Sequence, residues 1–174
     1  MARIFRPAVM VCAAWACVAW IASAAPLSAK PSAVGSFGRW TVFASGSGAG
    51  RVCYMGGLPL RSEGKYTRRD RVVFYVAYRP GERGGDEVSV LAGYPYRRGS
   101  QATLTIDGAT FRLITDGDTA WAATDGLDRR IVRAVRAGSR MVVKGTSARG
   151  TLTTDTYDLE GSAAAYAAMR EACR

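Results

Sequence analysis

Ala102-Thr103-Leu104-Thr105-Ile106-Asp107-Gly108-Ala109-Thr110-Phe111-Arg112-Leu113-Ile114 decides the fold class. Apolar and polar residues alternate on both sides of Asp107-Gly108, as in strands with one face buried and one wet. The Asp-Gly pair suits a type I′ turn, whose two central residues both need positive φ. The stretch therefore reads as a β-hairpin. Outward from it the same signals repeat. Asp116-Gly117 makes a second turn ahead of Thr119-Ala120-Trp121-Ala122. Upstream, Arg71 to Tyr78 is β-branched and aromatic, which fits a central strand covered on both faces. Glu87 to Ala92 is another strand, stopped by Gly93 and Pro95. Phe37 to Phe43 and Val52 to Met55 are two more, separated by the flexible run Ser45-Gly46-Ser47-Gly48-Ala49-Gly50. Arg61 to Asp70 is polar and charged, and reads as a loop. Met141 to Gly145 and Thr151 to Leu159 complete about eight short strands, the pattern of an all-β sandwich or barrel.

Two segments change period. Leu127, Ile131, Ala134 and Val135 fall at helical spacing within Asp125 to Gly138. Asp125 or Asp128 can cap the start, and Gly138 sits where a C-cap wants positive φ. Arg129, Arg133 and Arg136 line the opposite face. Ser162 can cap a last helix, Ala163 to Cys173, with Tyr166, Met169 and Cys173 on one side.

The N-terminus reads as an address. Met1 to Arg6 is basic, Pro7 to Ala24 is uncharged, and Ala22-Ser23-Ala24 is a small-x-small cleavage site, together a secretory signal peptide. The expected organisation is a signal at 1–24, a flexible arm at 25–36 and one domain at 37–174. No membrane span remains after cleavage. Cys12 and Cys17 leave with the signal. Cys53 and Cys173 remain, and an oxidising periplasm should join them in one structural disulfide.

Composition excludes several function classes. The chain has 174 residues and no histidine, so no Ser-His-Asp triad, Cys-His dyad or imidazole zinc site is open to it. Its charge of +10 comes from 24 Lys+Arg against 14 Asp+Glu, and 21 of the basic residues are Arg. Such a surface attracts polyanions. Asp116 with Asp118, and Asp155 with Asp158, are the candidate acid/base pairs. However, Asp107, Asp116 and Asp125 each precede Gly, which turn-making explains. Tyr94-Pro95-Tyr96-Arg97-Arg98 interleaves rings with charge, but no RRM, KH or zinc-knuckle pattern accompanies it, so nucleic acid is not the expected partner. Gly145 to Thr151 looks like a phosphate loop but lacks the closing Gly-Lys-Ser/Thr. EF-hand spacing is absent, and no cofactor or metal motif appears.

The order of these segments resembles the invasion-associated locus B family of exported bacterial proteins. The resemblance rests on Trp40, Cys53, Arg79-Pro80, Glu87-Val88-Ser89, Gly93-Tyr94-Pro95-Tyr96, Gly99-Ser100, Ile106-Asp107 and Ala120-Trp121. It is densest at Gly145-Thr146-Ser147-Ala148-Arg149-Gly150-Thr151 and Thr154-Asp155-Thr156-Tyr157-Asp158-Leu159, and ends at Ala172-Cys173. Glu160-Gly161-Ser162 departs from the pattern, which would have an aromatic near Ser162. The resemblance covers Phe37 to Cys173. It implies an immunoglobulin-like β-sandwich in the periplasm or associated with the outer membrane. Some members are linked to host-cell invasion. The family has no agreed enzymatic activity, so no catalytic residue carries over.

The leading expectation is a non-enzymatic envelope binding module, engaging an anionic envelope component or a protein partner, with Arg129, Arg133 and Arg136 as the candidate anion site. The alternative is a periplasmic hydrolase or lyase using Asp, Tyr and Arg in a sandwich cleft. An envelope chaperone is a third reading. Buried carboxylates converging with Tyr or Arg in one pocket would favour the enzyme, whereas scattered turn aspartates would favour the binder.

Overall fold

The computed structural model describes residues 30–80 and 85–174, so the signal segment 1–24 and the start of the arm lie outside the described residues. Eleven strands and two helices run in the order β1 (Ser32–Phe37), β2 (Trp40–Ser45), β3 (Val52–Gly57), β4 (Arg61–Gly64), β5 (Val73–Tyr78), β6 (Asp86–Leu91), β7 (Gln101–Ile106), β8 (Ala109–Asp116), β9 (Thr119–Trp121), α1 (Asp125–Ala137), β10 (Arg140–Thr146), β11 (Leu152–Asp158) and α2 (Ser162–Ala172). All the strands belong to one antiparallel ladder, ordered β1-β2-β3-β5-β6-β9-β8-β7-β10-β11-β4.

The ladder, in which the three-residue strand β9 joins β6 to β8, folds over on itself. Strands far apart in it therefore meet face to face. Phe74 of β5 packs edge-on against Tyr157 of β11 with ring centroids 6.3 Å apart. Trp40 of β2 donates its indole N–H to the Asp158 carbonyl at 3.2 Å. Inward residues of both halves, among them Val42, Met55, Val76, Leu104, Leu113 and Met141, form one apolar core. This is the β-sandwich with a mid-chain and a C-terminal helix that the sequence led us to expect. Trp40 lies flat on Gly57, where a Cβ would come 2.7 Å from the ring, so only glycine fits there. Among the described residues, no helix is long and apolar enough to cross a membrane.

The central hairpin forms as read. Asp107 has φ 44° and Gly108 φ 92°, the positive pair that a type I′ turn demands. The Asp107 carboxylate also accepts the Ser139 and Arg140 backbone N–H groups at 2.7 and 3.0 Å, tying the turn to the start of β10.

Other local expectations fail for identifiable reasons. Among the described residues the first strand begins at Ser32 rather than Phe37, so the last part of the expected arm is strand β1 paired along β2. Phe37 to Phe43 is not one strand but a hairpin corner, closed at Gly38, where φ is 61°. Within Arg61 to Asp70, Arg61–Gly64 is strand β4 instead of loop. All four of its residues are exposed, and its backbone bonds to β11 hold it in place. A charged edge strand of this kind has no apolar period to read. Strand β5 is central, with Phe74 and Val76 fully covered on its inner face; on its other face Val73 is buried, while Tyr75 is half-buried beside Tyr54.

The helix caps also differ. Thr124, not Asp125 or Asp128, caps α1, its hydroxyl accepting the Leu127 N–H at 3.2 Å. Gly138 has φ −89°, so it is no left-handed cap. It is glycine because a Cβ would stand 2.7 Å from Ile106 and 2.8 Å from the Ala134 carbonyl. Ser162 does not cap α2 either. Its buried hydroxyl donates to the Val135 carbonyl at 2.8 Å and joins the two helices.

Candidate functional site

Helix α1 buries Ile131, Val132 and Val135 and leaves Arg129, Arg133 and Arg136 exposed. The i, i+4, i+7 spacing brings the three guanidinium groups onto one stripe. None of them pairs with a carboxylate among the described residues. Arg136 lies over the Tyr166 ring of α2, 4.5 Å from its centroid, which restrains its orientation before any ligand arrives. The structure thus brings together the three arginines that the sequence nominated.

A cleft of about 710 Å³ opens at the other end of the same helix. Asp86, Glu87, Trp121, Asp125 and Asp128 line it, with Arg79 at 3.2 Å from Glu87. Asp86 accepts the Tyr166 hydroxyl at 2.8 Å. Asp128, nominated only as a cap, is buried and accepts the Val88 N–H at 2.7 Å. Burial pushes its carboxyl up to about 6, against the pull of the Val88 hydrogen bond and with help from Glu87, Asp125 and Asp86. The folded pKa therefore lies above the unfolded one, and folding takes up a proton between about pH 4 and pH 6. The contribution of Asp128 to stability falls as pH rises through that window and stays low above it. Asp128→Asn keeps an acceptor for Val88 and should stabilise the protein at neutral pH by about 1–3 kcal/mol, with no gain near pH 4. Urea unfolding of both proteins at the two pH values checks this, and an equal difference at both would contradict it.

The carboxylate pairs do not assemble. Asp155 points into the sandwich, whereas Asp158, three residues on, lies on the other face of β11. Asp116 and Asp118 flank the turn glycine Gly117. What the sequence did not reveal is the partner of Asp155. Arg69 from the 65–72 segment clamps it with two hydrogen bonds of 2.7 Å each, and both side chains are under 5% exposed. Arg69 Nε donates to the Ala92 carbonyl at 2.7 Å, and the guanidinium lies 4.9 Å from the Tyr94 ring centroid. Burial works against the Arg69 charge, but the hydrogen bonds and charge of Asp155 outweigh it and hold its pKa above the ordinary value. Burial raises the Tyr94 phenol, whose hydroxyl is hydrogen-bonded to the Thr153 hydroxyl at 2.6 Å. Asp155, Arg69 and Tyr94 thus converge inside the packed sandwich with their polar atoms engaged, while the buried Tyr157 hydroxyl of the same cluster has no hydrogen-bond partner among the described residues. Tyr96 is buried beside Tyr94, so the aromatic-basic run turns its rings inward.

The profile of the invasion associated locus B protein family matches residues 40–170. The chain belongs to this family. In the crystal structure of invasion associated protein B from Bartonella henselae, 17% identity accompanies a TM-score of 0.55 over 79% of this chain and 95% of that one, so the fold is shared. No curated protein matches the chain.

The residues that carry the locus B pattern are mostly those that build the frame. Cys53 of β3 and Cys173 after α2 form a disulfide with Cα atoms 5.9 Å apart. The 145–151 segment is the end of β10 and the turn into β11, in which Ser147 Oγ accepts the Thr151 N–H at 3.1 Å, so it joins two antiparallel strands, whereas a phosphate loop leads from a strand into a helix. At the departure from the locus B pattern, Gly161 has φ 83° and its Cα faces the Phe37 carbonyl so closely that a Cβ would clash.

Proposed function

We propose that this locus B protein is a non-enzymatic binding module of the bacterial envelope. Its signal segment delivers it to the periplasm or to the outer membrane, and the exposed face of α1 engages an anionic envelope component. One observation carries the reading: Arg129, Arg133 and Arg136 stand exposed, without a carboxylate partner among the described residues, on a helix whose other face is buried in the core. Arginine forks match phosphate and carboxylate groups in two-point geometry. A preset scaffold also loses little conformational freedom on binding. The closed state of the Asp155 cluster supports a scaffold role for the Asp, Arg and Tyr groups over a hydrolytic one. The Bartonella protein is named as invasion associated. A contribution of this chain to host-cell invasion belongs to the same proposal.

The test replaces Arg129, Arg133 and Arg136 by Glu and measures binding to lipopolysaccharide and to heparin at several salt concentrations. The affinity should fall by at least about tenfold, and the salt slope should flatten, as fewer counterions are released. The melting temperature should barely move, because the three side chains are outside the core. An unchanged affinity with an unchanged slope would assign the stripe to solubility alone.

A further inference from the structure

The outer face of β8, β7 and β10 carries a second set of unpaired cations, on different residues from the α1 stripe. Register places Arg112 opposite Thr103 and Thr103 opposite Lys144, so the two charges flank one threonine on the face away from Leu104, Leu113 and Val143. Both are exposed, and neither pairs with a carboxylate among the described residues. At the end of this face Arg97 donates its backbone N–H to Thr146 at 2.9 Å. Its guanidinium lies against Gly150, next to exposed Arg149. Two apolar side chains rise beside these cations. Ile114 is paired with Gln101 and is 50% exposed. Leu152 is paired with Thr146 and is 61% exposed, the most of any large apolar residue described. The nearest acidic group of the β4 edge, Glu63, is already paired with Arg61.

We propose that this face docks onto an anionic lipid bilayer. Charge complementarity selects the surface: Arg97, Arg112, Lys144 and Arg149 can all meet lipid phosphates, and basic residues near such a surface are held by its potential. The exposed apolar pair selects a bilayer over a soluble polyanion, because Ile114 and Leu152 gain only where an acyl boundary receives them. A sheet face presents its side chains in one broad layer, so cations and apolar tips reach the membrane together.

The experiment is cosedimentation of the exported protein with phosphatidylcholine vesicles, with and without phosphatidylglycerol. Binding is expected only with phosphatidylglycerol. Arg112→Gln with Lys144→Gln should weaken it about thirtyfold. Ile114→Ser with Leu152→Ser should leave a residue of binding that moderate salt removes completely. Arg129→Gln with Arg133→Gln and Arg136→Gln should weaken vesicle binding less than the sheet-face pair does, and the sheet-face pair should keep its heparin affinity. Equal binding to pure phosphatidylcholine would overturn the proposal. So would wild-type binding by the Arg112/Lys144 variant, or a larger loss from the α1 variant. Because the α1 reading is measured on lipopolysaccharide and heparin and this one on phospholipid vesicles, the two can fail separately.

Discussion

Arg69→Met is expected to lower stability by about 3–5 kcal/mol, since it strands the Asp155 carboxylate inside the sandwich without its partner. Both groups are almost fully buried, and the guanidinium also satisfies the Ala92 carbonyl and covers the Tyr94 ring. Asp155→Leu should cost a similar amount, because it strands the guanidinium instead. The double variant should recover much of the loss, as apolar replacement of a whole buried pair commonly does. Urea midpoints for the four proteins close this cycle. Single variants that each lose less than about 1 kcal/mol would mean that water reaches the pair and that the cluster is an open site.

Loss of the Cys53–Cys173 bridge should be comparably severe. The bridge spans a sequence separation of 120 and fastens the end of α2 to β3, and both cysteines are buried. Removing a long-range disulfide from an exported domain costs about 2–5 kcal/mol, chiefly because the unfolded chain regains freedom. Cys53→Ala with Cys173→Ala should therefore melt roughly 5–15 °C lower than the oxidised protein. It should also match wild type measured in reductant. A melting temperature unmoved by either treatment would show that α2 is held by packing alone.

The sequence shows clearly those features whose causes are local. Asp107-Gly108 determines its hairpin through backbone conformations that few other residues adopt, and the apolar spacing of α1 determines which face it buries. Cysteine counting points to the disulfide because only Cys53 and Cys173 lie outside the expected signal segment. The strand β4 was not visible, because Arg61–Gly64 takes its conformation from β11 and not from its own side chains. The Arg69–Asp155 pair was not visible either. Its members stand 86 residues apart, one inside an arginine-rich stretch and the other beside Asp158, and only the closure of the sandwich brings them together. Asp128 looked like a capping residue by position. Its burial follows from the packing of α1 against β6, a tertiary contact that helix periodicity does not report.

The central claim is that anions meet the arginine face of α1, and amide resonances map it most directly. Titrating the isotope-labelled exported protein with a heparin oligosaccharide should shift the amides of Arg129, Arg133 and Arg136 and the neighbouring Tyr166. Those around Asp155 in the sealed interior should stay in place. Unmoved α1 amides at saturating oligosaccharide, with shifts gathered instead around Asp128 and Trp121 in the acidic cleft, would contradict the account.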